Sequence, residues 1–323
     1  MLRSLFAGIS GLRVNQTALD VTGNNIANAN TVGFKSSSTV FSDTLSQMLT
    51  AAAAPSANSG GTNAIQIGLG TQLAAVKTNF TQGANETTGV GTDMMIQGDG
   101  FFVLTDGTSN YLTRAGSFSF DLAGNLVAPD GKFVQGYTPA DYTTVVNNLG
   151  NTMYVPEYTD GNGTNSTAAS GNGIGPLNLA TLTANALAQA TGSGIPDFTG
   201  TEQLQSYEIG RDGTITGTFD NGQKLALGQI AIGNVRNPQG LEKAGNSEYL
   251  QSANSGQIEY AAAGGTTTYG QNGSLAVGSL EMSNVDLAAE FTNLIIAQRG
   301  FEASSKVITT SDTVLGDLIN MIH

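Results

Sequence analysis

The chain has no cysteine, which excludes disulfides, thiol catalysis and cysteine-ligated metals. Its single histidine is His323, the last residue, so a Ser-His-Asp triad or a histidine metal site has nothing to be built on. Positive charge is scarce. Twelve basic residues stand against 25 acidic ones, a net charge of −13. A nucleic-acid binder needs a basic footprint to displace phosphate counterions, and an anionic membrane surface asks for the same sign. No apolar run reaches the length of a membrane span. After Arg3 the apolar residues are periodic, and Asn15, Gln16 and Asp20 soon follow. The start of the chain therefore does not read as a cleaved secretory signal, and any export is expected to proceed without one.

The remaining polar chemistry is sparse. Asp99, Asp106, Asp130, Asp212 and Asp220 each precede Gly or Asn-Gly, where aspartate forms turns. Gly68-Leu69-Gly70 does not extend to a dinucleotide fingerprint, and there is no Gly-Lys-Ser/Thr phosphate loop. Asp160-Gly161-Asn162-Gly163-Thr164 has the start of a calcium loop, but Gly171 stands where the bidentate glutamate belongs, so it reads as a surface loop. No enzyme activity, cofactor or metal is expected.

Glycine, in contrast, is abundant: 43 of 323 residues, nearly twice the usual share of about 7%. With 39% apolar residues this composition suggests many short strands joined by tight turns rather than disorder. The two ends differ from the middle. Leu2, Leu5, Ile9, Leu12, Gln16 and Leu19 alternate spacings of three and four. So do Leu287, Phe291, Leu294, Gln298, Phe301, Ser305, Ile308, Asp312, Leu315, Ile319 and Ile322. That is a heptad stripe, by which helices bury a narrow face against other helices. Gln298, Ser305 and Asp312 recur every seven residues within it. Helical drift from the 3.5 period, register control by buried polar groups, and a face lining a wet channel all account for them.

These patterns predict an α+β, multidomain chain. Terminal helices form a coiled-coil-like inner domain, and mainly antiparallel β domains are nested between them. The first helix is expected from about Leu2 to Asn28, ending in the asparagine-rich Asn24 to Asn30, with Gly33 as its natural stop. Residues 1–32 and 283–323 make the helical domain, and 33–70 with 262–282 a connector. Residues 71–144 with 201–261 make a β domain, and 145–200 a small, solvent-exposed variable excursion. Within the β domain, Met94–Gln97 and Phe101–Leu104 flank Gly98-Asp99-Gly100 as a hairpin. Phe118, Phe120 and Leu122 alternate with polar residues as a half-buried strand. Tyr207–Ile215 repeats the strand–turn–strand pattern of 118–127, and Leu227–Ile232 reads as a buried strand. Ser283-Asn284-Val285-Asp286 offers the cap of the last helix.

Laid out in this order, the chain resembles the bacterial flagellar axial family of rod, hook and hook-associated proteins. Asn24-Asn25-Ile26-Ala27-Asn28 through Gly33-Phe34-Lys35 is similar to its N-terminal signature. Gly98-Asp99-Gly100-Phe101-Phe102 and Thr113-Arg114-Ala115-Gly116-Ser117-Phe118 resemble its β motifs. Asn237-Pro238-Gln239-Gly240-Leu241, Ala253-Asn254-Ser255-Gly256, Leu280–Leu287 and Gln298-Arg299-Gly300-Phe301 resemble its returning half. Arg299-Gly300-Phe301-Glu302-Ala303 and the inserted middle region resemble a hook more than a distal rod, while the short chain keeps the rod as the alternative.

The resemblance implies a structural subunit that assembles with copies of itself into a curved helical tube, a universal joint between motor and filament. Leu2, Leu5, Ile9, Leu12, Leu19, Leu287, Phe291, Leu294, Phe301, Ile308, Leu315, Ile319 and Ile322 would form the polymer interface. Asn24, Asn25, Asn28, Gly33 and Phe34 would carry the family motif. The implied partners are the rod, hook-cap and hook–filament junction proteins and the flagellar export apparatus, with no nucleic acid and no membrane insertion. The implied location is the extracellular hook. From another class, a secreted β-rich adhesin with a helical stalk stays open.

Overall fold

The computed structural model describes residues 2–55, 60–146, 152–159, 165–166, 174–192, 200 and 202–321. Helix α1 spans Leu2–Ala27, close to the length its periodicity predicts. It ends on asparagine rather than at Gly33. The Asn28 amide nitrogen donates to the Asn24 carbonyl (2.9 Å) and to Asn24 Oδ1 (2.9 Å), satisfying groups that a helix end leaves open. Two further helices are α2, Leu179–Gly192, and α3, Leu287–Asn320. Asp286 caps α3 by accepting from the backbone N–H groups of Ala288 (2.9 Å) and Ala289 (3.3 Å).

Contacts divide the chain into two units. The first holds residues 1–29, 35–79 and 285–323; the second holds 30–34 and 80–284. Residues 71–79 thus group with the helices, because Thr71–Thr78 pairs antiparallel with Ser37–Asp43. The ribbon continues through Ser46–Thr50 against Ile65–Gly68 and a bridge between Ala53 and Thr62.

The second unit is built on a large antiparallel sheet. Its central strand, Lys224–Val235, is buried along nearly its whole length and contains the expected Leu227–Ile232 run. It pairs with Thr214–Phe219, Phe133–Tyr137, Phe101–Thr105 and Ile258–Ala262. Phe102, Leu126, Leu227, Ile230 and Ile232 form the heart of the core, with Phe102 edge-on to Phe118. The repeated strand–turn–strand pattern is present: Leu204–Ile209 pairs with Thr214–Phe219, and Ser119–Phe120 with Leu126–Val127.

Three local expectations are corrected. Gly98-Asp99-Gly100 does not close a hairpin. Met94–Gln97 pairs with Ser274–Val277, while Phe101–Thr105 joins Asn110–Thr113 and the main sheet. Both runs are buried on both faces, so neither shows the alternation of a hairpin arm. Gly100, at φ +120°, lets the chain pass hard against Ile232, whose Cγ2 a Cβ there would strike. The strand expected from Phe118 to Leu122 shrinks to Ser119–Phe120. Phe118 is buried, but Leu122 is fully exposed in a turn closed by Asp121 Oδ1, which accepts from the Asn125 N–H (2.7 Å).

The third correction concerns residues 145–200, expected to be exposed throughout. Helix α2 places Leu182, Ala186, Leu187 and Ala190 in the main core. Its Ala- and Thr-rich sequence hides that face, since small side chains pack closely without a strong hydropathy signal. Pro139–Val146, Thr152–Thr159 and Asn165–Ser166 form a separate three-stranded sheet. The Asp160–Thr164 loop lies outside the described residues.

Candidate self-association surface

In the first unit α1 lies antiparallel along α3. Ser4 Oγ meets Ser311 Oγ at 3.3 Å. Gly8 faces Ile308, where a Cβ would come within 3.1 Å of Cγ1. Gly11 faces Ser304 Oγ at 2.8 Å, and Gly300 faces Asn15 Oδ1 at 2.7 Å on the same measure. Asn25 Nδ2 donates to Glu290 Oε1 (2.9 Å) at the far end. The contact face is therefore made largely of Gly, Ser, Ala and Asn. Small side chains let two backbones approach closely, but each buries little apolar area.

This choice leaves the larger apolar residues uncovered. On α3 the contacts with α1 fall at Gly300, Ser304, Ile308 and Ser311, and Leu294, Ala297 and Leu315 continue that side at helical spacing, buried or half-buried. The heptad stripe read from sequence shares only Leu294, Ile308 and Leu315 with it. Those three, with Leu5, Leu12 and Leu19, are half-buried. Ile9, Leu287, Phe291, Phe301 and Ile319 are exposed, Phe291 and Ile319 by 51% and 60%. The side chain of Leu2 and all of Ile322 lie outside the described residues. Of the polar stripe residues, Gln298 and Asp312 are exposed and Ser305 is half-buried. Sequence reasoning missed Phe6, Ile295, Ile296, Val307, Val314 and Leu318, all exposed, because they fall off the heptad positions.

The ribbon extends the same property. Phe41, Leu45, Met48, Leu49, Ile65 and Ile67 are all exposed. A two-stranded ribbon is marginal by itself in water, and its apolar side chains gain burial only against something further. Among the residues whose side chains are described, which leave out most of 140–173, the second unit exposes three large apolar ones, Val90, Leu122 and Tyr207, and the others exposed belong to the first unit. Apolar surface gathered in this way marks an association site.

The motif residues have separate tasks. Asn25 is 1% exposed. Its Nδ2 also donates to the Ser37 carbonyl (2.7 Å), and its Oδ1 accepts from the Ser37 N–H (3.0 Å). Asn24 and Asn28 form the exposed helix end described above. Gly33, in the second unit at φ +68°, passes so close to Ala115 that a Cβ would strike its backbone nitrogen. Phe34 lies under the Lys243 ammonium, 5.5 Å from the ring centre.

Glu281, unnoticed as a site in the sequence, is fully buried in the second unit. Its Oε1 accepts from the Gly83 N–H (2.9 Å), its carbonyl from the Gly33 N–H (2.7 Å), and its Oε2 pairs with Arg114 Nη1 at 3.4 Å. Burial pulls the Arg114 guanidinium below its ordinary pKa, and the Glu281 charge opposes the shift.

A cleft of about 780 Å³ in the second unit is lined by Asn110, Gln135, Gln251, Gln257, Glu259, Tyr260, Ile174, Ile258 and three threonines. It offers neutral amides and hydroxyls, and its carboxylate, Glu259, accepts from the Thr268 N–H (2.6 Å). Among the described residues no group of three or more His, Cys, Asp or Glu could hold a metal, and no helix is long and apolar enough to cross a membrane.

Three family models match. They are described as flagella basal body rod protein (residues 5–35), flagellar hook protein FlgE/F/G D1 domain (95–217) and flagellar basal body rod FlgEFG protein C-terminal (276–321). The chain is 39% identical to the flagellar basal-body rod protein FlgG of Bacillus subtilis, covering 99% of both chains. It is 32% identical to the rod protein FlgG of Borreliella burgdorferi, again over 99% of both. With the flagellar hook protein FlgE of the same organism it shares 31% identity over 99% of this chain and 100% of the other. Rod and hook proteins of one organism are thus about equally similar to it. The adhesin alternative finds no support in these relatives.

Proposed function

The chain belongs to the flagellar rod and hook family and is a structural subunit of the flagellar axis; from that premise we propose that it is the hook subunit. In this reading copies assemble through the terminal helices and ribbon into a curved helical tube that passes motor torque to the filament. The observation that carries it is the split within the first unit. The helix pair closes on small residues, while Phe291, Ile295, Ile296, Leu318 and Ile319 stay exposed for neighbouring copies. An open tube needs such a surface on every subunit, repeated without closure.

The hook is favoured over the distal rod by Arg299-Gly300-Phe301 and by the sheet of residues 139–166 inserted in the second unit. The full-length likeness to proteins named as rod subunits favours the second reading, a distal rod. Residues 1–32 and 283–323 would line the inner tube. Of the expected connector, residues 35–70 fall in the ribbon of the first unit and 262–282 in the β unit, with Leu275 in its core, so the β domain would run over about 80–138 and 174–284. The outermost piece contracts from 145–200 to about 139–173, because α2 belongs to the core. The partners would be the rod, hook-cap and hook–filament junction proteins, with delivery by the flagellar export apparatus.

The test is electron microscopy of purified protein concentrated in a kosmotropic salt, which strengthens apolar burial. Curved tubes are expected. Straight tubes would establish the rod, and small closed oligomers, or no assembly at any concentration, would overturn both readings.

A further inference from the structure

The cleft beside Tyr260 lies wholly within the second unit, and the assembly reading makes no use of it. Three strands supply its floor. Asn110 opens Asn110–Thr113, Gln135 is the middle residue of Phe133–Tyr137, and Tyr260 is the middle residue of Ile258–Ala262. Thr266–Thr267, paired with Gly270–Gln271, forms a wall. That wall is pinned beside the floor by the bond from the Thr268 N–H to Glu259 Oε2.

The floor side chains form a relay. Gln135 Nε2 donates to Asn110 Oδ1 (3.2 Å), and Asn110 Nδ2 donates to the Tyr260 hydroxyl oxygen (3.1 Å). Each end of the relay has a bond still to make. The Tyr260 hydroxyl accepts here, and its own proton has no acceptor among the described residues. Gln135 is 7% exposed, and its Oε1 is buried with no partner among the described residues. A buried acceptor left unpaired is destabilising, so an incoming donor gains by meeting it.

The lining limits what can enter. The amides of Asn110, Gln135 and Gln257 and the threonine hydroxyls both donate and accept, and none is charged. No basic residue lines the cleft, so an anion finds no counter-charge, and the carboxylate of Glu259 is already engaged by Thr268. A ligand made of hydroxyl groups, each both donor and acceptor, matches such a surface. The Tyr260 ring, Ile174 and Ile258 add apolar patches for the C–H face of a ring. At about 780 Å³ the cleft falls within the size range of small-molecule sites and has room for more than one sugar ring.

We propose that this cleft binds a neutral saccharide. Tyr260 donates to one sugar hydroxyl, and Gln135 Oε1, once its amide turns toward the cleft, accepts from another. Such binding is weak, because each hydrogen bond replaces one made to water. An extended peptide is the competing occupant, and the test separates the two.

The dilute full-length subunit is titrated and followed by nuclear magnetic resonance of its side-chain amides and by calorimetry. The probes are the uncharged chitotetraose and cellotetraose, with a glycine–threonine hexapeptide as the competing class. A saccharide should saturate the site at millimolar concentration, with shifts centred on the amides of Asn110, Gln135 and Gln257. Tyr260→Phe keeps the ring and removes the proton donor, and should weaken binding roughly three- to tenfold. Gln135→Leu removes the unpaired acceptor at similar volume and should weaken binding by as much. Should Gln135→Leu not fold, Tyr260→Phe and Gln257→Ala carry the test, both with weakened binding expected. No binding of either saccharide, binding indifferent to Tyr260→Phe, or tighter binding of the hexapeptide would each overturn the proposal. None of these outcomes bears on whether the subunit forms tubes, so the two readings fail separately.

Discussion

The two units use the same residue types in opposite ways. In the second unit large apolar side chains point into a core closed by an antiparallel sheet and by α2, and glycines let strands pass close together. In the first unit glycine, serine and alanine make the closest contacts of the helix pair, beside the buried Val14 and half-buried Ile308 and leucines, and most of the other large apolar residues are exposed. One unit completes its core within a single chain. The other leaves its apolar surface uncovered, and the proposed assembly would bury it against other copies. Stability of the isolated subunit should therefore come from the second unit, and assembly from the first.

The sharpest way to test that division is to damage the core. Phe102→Ala removes a fully buried ring packed edge-on to Phe118 and should cost about 3–5 kcal/mol. Leu182→Ala, on α2, should cost about 2–5 kcal/mol on the same grounds, whereas an exposed excursion would lose almost nothing. Denaturant unfolding of the dilute subunit measures both. A near-zero effect at Leu182 would return 179–192 to the surface.

Overpacking the helix pair comes next. Gly11→Leu places a branched side chain against Ser304, which a bare Cβ already approaches to 2.8 Å, and should cost about 1–3 kcal/mol. The expected readout is loss of helical circular dichroism at unchanged near-ultraviolet signal from the β unit. An intact helix pair would mean that α1 and α3 have room to spare.

Phe291→Ala should be nearly silent in dilute subunit, within about 0.5 kcal/mol, because the ring is half in water already. In assembly the exposed half of the ring would be buried, and losing about 0.8–1.5 kcal/mol per subunit should raise the critical concentration roughly four- to tenfold. Sedimentation of polymer against free subunit measures it. An unchanged critical concentration would remove Phe291 from the interface.

The smallest effect is expected from acid. Bonds from the Asn125 side chain and N–H hold the Asp121 carboxyl below its ordinary value of 3.8. A carboxyl depressed in the folded state contributes stability above its unfolded value, and loses that contribution as pH falls through the folded one. Wild type should therefore lose melting temperature more steeply below pH 4 than Asp121→Asn does, the two being compared by thermal scans from about pH 5 to 2.5. Parallel curves would show that the turn is indifferent to its charge.

What the sequence determined by itself was the kind of element in each region and the sign of its surface. Periods of three and four residues placed helices at both ends, alternation and turn residues placed strands between, and the charge balance argued against a nucleic-acid partner. Those are local properties, carried by neighbouring side chains. The tertiary structure alone decided which face of each helix turns inward. A heptad reading finds the most apolar stripe, whereas α1 and α3 join through Gly8, Gly11, Gly300 and Ser304, which carry little hydropathy but allow the closest approach. It likewise decided that Met94–Gln97 and Phe101–Thr105 part company at a glycine turn, and that an alanine-rich segment enters the core. Asn25 and Glu281 show the limit most clearly. Both fall in motifs that carry the family resemblance, but what each bonds is visible only because residues as far apart as 83 and 281, or 25 and 290, are brought within hydrogen-bonding distance. Hydropathy acts along the chain; backbone clearance and buried hydrogen bonds act across it, so they are settled only when the chain has folded.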